Sequence, residues 1–109
     1  MPIAEFQKYQ DEARKTSFCP AEYKIIYATV GLTGEAGELA NKVKKIMRGD
    51  ANRAALLEEI KSDMGDVLWY LSALADDLDV TLADIAEMNI KKLRDRQQRD
   101  RLRGSGDER

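Results

Sequence analysis

Residues 60–78 read Ile-Lys-Ser-Asp-Met-Gly-Asp-Val-Leu-Trp-Tyr-Leu-Ser-Ala-Leu-Ala-Asp-Asp-Leu. Ile60, Met64, Val67, Leu71, Leu74 and Leu78 recur at alternating intervals of four and three, the spacing of an apolar seam on one face of a bundled helix. No proline interrupts the run, and the strict alternation of a half-buried strand is missing. Asn52 upstream is a suitable N-cap, so the helix is predicted over residues 52–78. Leu32, Ala36, Leu39, Val43 and Ile46 repeat the spacing and predict a second long helix over residues 21–47, beginning just after Pro20. Arg48-Gly49-Asp50 supplies the stop and turn. Two long seams joined by a short turn predict an antiparallel hairpin.

The rest of the chain extends this pattern. Residues 3–15 predict a first helix. Thr81-Leu82-Ala83-Asp84 has the form of a capping box and opens a fourth, with Leu82, Ile85, Ala86 and Leu93 on its apolar side. Pro2 and Pro20 are the only prolines, and no repeat divides the chain. The expected fold is therefore all-α: a four-to-five-helix bundle with two long antiparallel central helices. One domain is expected over residues 1–103, followed by a flexible tail at 104–109. A helix of about 27 residues spans about 40 Å, whereas a compact chain of this length has a radius of gyration of about 13 Å. Helices this long overhang one small core, so a homodimer or a homotetramer built as a dimer of dimers is expected.

Composition limits the chemistry. The 109 residues include no histidine and one cysteine, with 35% charged residues and a net charge of -2. Ser-His-Asp and Cys-His nucleophilic sites, imidazole acid–base catalysis, His-ligated zinc and an internal disulfide are all excluded. Neither a secretory signal nor an apolar run long enough for a membrane span is present, so a cytoplasmic protein with no membrane partner is expected. Cys19 reads as an ordinary buried or half-buried thiol.

Two acid-x-x-acid pairs stand out. Glu35 with Glu38, and Asp63 with Asp66, each lie one helical turn apart on a common face. An antiparallel hairpin would let the pairs face each other. Four carboxylates in one cavity repel unless a cation neutralises them, and oxygen ligands without His or Cys select Mg²⁺, with Mn²⁺ as a substitute. Gly34, Gly37 and Gly65 sit inside these helices beside the acids, where close helix approach or room for a ligand would account for their cost. Glu58, Glu59, Asp76, Asp77 and Asp79 read as solvated faces.

Charge is also divided along the chain. Residues 91–109 carry eight Lys/Arg against four Asp/Glu, whereas residues 1–90 carry ten against sixteen. Asn89, Lys92 and Arg96 share one helix face and could present an amide, an ammonium and a guanidinium to a polyphosphate. The competing reading is a basic helix end that favours the macrodipole.

The series Glu35-Ala36-Gly37-Glu38, Asp63-Met64-Gly65-Asp66-Val67-Leu68-Trp69-Tyr70 and Asn89-Ile90-Lys91-Lys92-Leu93 resembles the MazG-like all-α nucleoside triphosphate pyrophosphohydrolases. The similarity runs from the Tyr9-Gln10 region to the tail Gly104-Ser105-Gly106-Asp107. It implies Mg²⁺-dependent hydrolysis of a (deoxy)nucleoside triphosphate to the monophosphate and pyrophosphate, in the manner of nucleotide-pool house-cleaning. Glu35, Glu38, Asp63 and Asp66 fall on the family's metal ligands. Either Glu35 or Glu38 would act as the catalytic carboxylate that orients or deprotonates water. Asn89, Lys92 and Arg96 would hold phosphate oxygens, and Tyr70 falls on a position that lines the nucleotide pocket. Phe6, Gln7 and Gln10 of the first helix could complete that pocket. Trp69 is expected at a helix or subunit contact instead. The chain departs from the family in carrying Asp63 where Glu is usual, and Glu59 could assist from one turn away.

Other readings are a phosphoribosyl-ATP pyrophosphohydrolase relative, an oligomeric helical protein whose basic C-terminus binds nucleic acid, and a lapsed scaffold that keeps the fold. The first usually carries His after the second acidic motif, where this chain has Trp69-Tyr70. The acidic body argues against a nucleic-acid footprint.

Overall fold

The computed structural model describes residues 2–109, and the side chains from Glu5 onward. The chain forms α1 (Pro2–Arg14), a single 3-10 turn (Ala21–Tyr23), α2 (Ile26–Met47), α3 (Arg53–Asp77) and α4 (Leu82–Gln98), with no strand among the described residues. The all-α expectation holds. Helices α2 and α3 form the central hairpin, and its register descends in step: Ile25 meets Asp77, Gly31 meets Tyr70, and Lys42 meets Asp63.

The helix ends follow local chemistry. Asn52 Oδ1 accepts from Ala55 N at 2.8 Å, and Thr81 Oγ1 accepts from Asp84 N at 3.0 Å, so both predicted N-caps form. Gly49, Asp79 and Asp100 stop α2, α3 and α4 at positive φ. At each stop a six-residue backbone bond closes the last turn, from Asp50 N to Lys45 O, Val80 N to Ala75 O and Arg101 N to Arg96 O.

The start of α2 differs from expectation. The helix begins at Ile26, not directly after Pro20, because a tight turn centred on Ile25 intervenes. Ile25 has φ 72° and ψ -54°, and Ile26 N donates to Lys24 O at 2.8 Å. A β-branched residue in that region is strained. A contact distant in sequence holds it there: Ile25 N donates to the Asp77 carboxylate at 2.8 Å, tying the start of α2 to the end of α3.

Gln10 fastens α1 to the corner between α3 and α4. Its side chain is 1% exposed. It donates to Asp76 Oδ1 at 2.8 Å and to Val80 O at 3.1 Å, and accepts from Leu82 N at 2.8 Å. Arg14 adds a second bond to Asp76 at 2.8 Å. All of the Gln10 amide is thus committed to the fold and none of it to a nucleotide pocket.

Little apolar surface is enclosed. Among the described residues only Ala28, Ala75 and Leu82 are buried hydrophobics, accompanied by buried Gln10, Asp63, Ser72 and Arg96. The seams are half open, with Met64 56%, Leu71 40% and Val43 41% exposed. The radius of gyration is 16.5 Å, above the roughly 13 Å of a compact chain of this length. No helix of the described residues is long and apolar enough to cross a membrane.

Candidate active site

The register of the hairpin brings acids from both central helices together. Ligand oxygens of Glu35, Asp63 and Asp66 all lie within 4.8 Å of one another. Three hard oxygen donors at that spacing, without nitrogen or sulfur, suit a divalent cation of the Mg²⁺ class. Glu38, the fourth acid of the two pairs, is exposed and is not part of this close group. Asp63 is the buried member, 8% exposed, and Lys42 already supplies it with a cation: Nζ donates to Asp63 Oδ2 at 2.5 Å. The Lys42 ammonium is held above its ordinary pKa, first by that hydrogen bond and then, against burial, by the charges of Asp63, Glu59 and Glu38. The fit to a cation is therefore visible in the chain's own use of one.

Next to the acids lies an aromatic wall. Burial raises the Tyr70 phenol, with further upward pushes from Tyr27, Glu35 and Asp66. Tyr70 stands 6.4 Å from Tyr27 and meets Trp69 edge-on at 5.0 Å. Trp69 Nε1 donates to Thr16 Oγ1 at 2.7 Å, which makes it a contact between α3 and the end of α1. The Tyr70 ring lies directly on the α2 backbone at Gly31, where a Cβ would overlap it. Close approach therefore occurs at Gly31. At Gly34, Gly37 and Gly65 nothing lies within 4 Å of the Cβ position, so close helix approach within the chain does not explain them.

Tyr70 forms one side of an apolar cavity of about 570 Å³, whose other walls include Tyr23, Tyr27 and Val30. Phe6 is elsewhere, in a groove of about 550 Å³ with Leu39, Met64 and Leu71. Among the described residues Gln7 bonds within its own helix, to Asp11. Tyr9 of α1 does approach the centre: burial, then the charge of Asp66, raises its phenol.

The basic face of α4 forms a second cluster with the end of the chain. Lys92 Nζ donates to Asp107 Oδ1 at 3.1 Å, and Arg96 Nη2 donates to Asp107 O at 2.8 Å. The Arg96 side chain is 5% exposed, that of Lys92 42%, and Asn89 is exposed. Arg99 adds a bond to Arg109 O at 2.7 Å. Among the described residues no hydrogen bond or ion pair joins this cluster to the acidic one.

Lys92, followed by Arg96, holds the Asp107 carboxyl below its ordinary pKa. A group depressed in the folded chain contributes stability above its unfolded pKa and loses it as pH falls through the depressed value. The carboxylate part of the tail's hold is therefore expected to be present at neutral pH and to weaken as pH falls through that depressed value, while the bonds from Arg96 to Asp107 O and from Arg99 to Arg109 O do not titrate with it. The amide NMR signals of Gly104 and Gly106 check this, since Asp107→Asn should show the low-pH shifts already at neutral pH.

Lys42, Gly31 and the partner role of Asp107 were missed by sequence reasoning. Lys42 carried a usable signal, since it follows Glu35 by seven residues and Glu38 by four and so shares their face.

The family described as the MazG nucleotide pyrophosphohydrolase domain matches residues 27–99, which span all of α3 and α4 and all of α2 but its first residue. The chain is also 44% identical over 94 residues to the Gene 37 protein of Mycobacterium phage L5, covering 84% of this chain and 82% of that one. No solved structure matches. A domain match across two thirds of the chain, on the helices that carry the acidic pairs, places this protein in the MazG nucleotide pyrophosphohydrolase family.

Proposed function

We propose that the protein hydrolyses a (deoxy)nucleoside triphosphate to the monophosphate and pyrophosphate with Mg²⁺, as part of cytoplasmic nucleotide-pool house-cleaning. The observation that carries this reading is the meeting of Glu35, Asp63 and Asp66 oxygens within 4.8 Å, beside the aromatic wall of Tyr70. Glu35, Asp63 and Asp66 would hold Mg²⁺, which when bound would supply positive charge against the triphosphate and acidify a water. Glu38, outside the close group and exposed, is the carboxylate left to orient water and accept its proton at the α-phosphorus. Glu35 serves mainly as a ligand. Tyr70 offers a face to the base from the wall of the apolar cavity. Lys92 and Asn89 take phosphate oxygens, while Arg96 secures the tail that lies over them.

The working unit is a homodimer or homotetramer, supported by the open seams at Met64, Leu71 and Val43. Nucleic acid is not favoured as a partner, because residues 1–90 carry sixteen Asp/Glu against ten Lys/Arg.

Pyrophosphate release from a panel of ribo- and deoxynucleoside triphosphates tests the reading. Release from at least one nucleotide, dependent on Mg²⁺ and lost in Glu38→Ala, is expected at micromolar enzyme. Folded protein that releases nothing from any member of the panel would retire it.

A further inference from the structure

A buried carboxylate such as Asp63 cannot wait for a metal: it needs a counter-charge as soon as the chain folds. Lys42 provides it across the hairpin, through an ion pair whose side chains are only 22% and 11% exposed. The ammonium also lies within the fields of Glu38 and Glu59. Its surroundings thus include two acids that the close group of Glu35, Asp63 and Asp66 leaves out.

We propose that Lys42 permanently fills one cation position of this centre, so that the site takes a single divalent ion, on Glu35, Asp63 and Asp66. The inference rests on the reading of those three acids as metal ligands and adds the number of ions and the residue that sets it. Two facts about the donors support it. Three carboxylates with oxygens within 4.8 Å suffice to anchor one ion, with water completing its shell. Among the described residues those three are the acids close enough to share an ion, and the Lys42 ammonium holds the Asp63 oxygen that a second ion would need. Asp63 can serve both neighbours, because Lys42 bonds Oδ2 and leaves Oδ1. Lysine suits the role, being a compact charge on a stem long enough to cross between helices.

The test counts metal on metal-free protein titrated with Mn²⁺ alone, by calorimetry and by the spin-resonance signal of free Mn²⁺. The wild type should bind one equivalent per chain. Lys42→Met should bind two, the first at least about tenfold more tightly, while Lys42→Arg stays at one. A purely structural lysine would leave the count unchanged. Lys42→Gln, which keeps a donor to Asp63, provides a second neutral variant should Lys42→Met not fold. Two equivalents on the wild type, or one on both neutral variants, overturns the inference and leaves the pyrophosphohydrolase reading standing if nucleotide turnover persists. No Mn²⁺ bound by folded wild type overturns both.

Discussion

Asp66→Asn is expected to cut kcat/KM at least about 100-fold and at the same time to raise the melting temperature of the metal-free protein. The two effects have one cause. Asp66 shares its close group with Glu35 and Asp63, but the Lys42 ammonium bonds Asp63 and not Asp66. In the absence of metal, Asp66 therefore adds like charge to a cluster whose one internal cation is already engaged. Removing that charge while keeping the shape relieves repulsion on the order of 0.5–1 kcal/mol at a solvent-exposed position. Residues that merely support a metal ligand cost 10–100-fold when changed, so a direct ligand is expected to cost at least the upper end of that range. Thermal unfolding with and without Mg²⁺, alongside pyrophosphate release, separates the roles. Wild type should gain stability on adding Mg²⁺ by mass action, and Asp66→Asn should gain much less. Parallel losses of activity and metal-free stability would mean that Asp66 is structural.

The same pair of acids shows what the sequence could and could not reveal. Periodicity located α3 and most of α2, because apolar side chains at four-and-three spacing must face one way. The caps at Asn52 and Thr81 were legible because their chemistry is local. Ile25 was not: its strained turn is held by Asp77, fifty-two residues away, and no neighbour in sequence announces it. The acids followed the same division. Spacing within a helix paired Glu35 with Glu38 and Asp63 with Asp66, but the register across the hairpin groups Glu35 with Asp63 and Asp66 and sets Lys42 against Asp63. Register depends on contacts such as Tyr70 against Gly31, which are visible only once the helices pack. The contact of Asp107 with Lys92 and Arg96 was hidden for a different reason. A Gly-Ser-Gly segment permits many paths, and composition does not say which one the chain takes.

The largest loss of stability is expected from Gln10→Met, a change that keeps the volume of the side chain and removes its amide. Gln10 is buried, and its three hydrogen bonds reach Asp76, Val80 and Leu82 at the corner where α3 gives way to α4. Asp76 would retain Arg14 as a partner. The buried Leu82 amide would lose its Gln10 partner at about 1–3 kcal/mol, and the part-buried Val80 carbonyl would lose its own at the lower end of that range. A cost of about 2–5 kcal/mol corresponds to a fall in melting temperature of at least about 10 °C for a domain of this size. Gln10→Glu sharpens the test. It preserves the acceptor for Leu82 N but replaces the donor with a carboxylate facing Asp76 and Val80 O, so it should fail as badly as Gln10→Met or worse. Gln7→Met on the same helix, whose amide bonds Asp11, should shift the melting temperature by no more than a few degrees. Because the proposed assembly would make stability depend on concentration, the comparison should be run at several protein concentrations. A deficit that stays constant across them places the damage inside the chain, where the α3–α4 corner predicts it. A deficit that disappears at high concentration would assign Gln10 to the subunit interface instead.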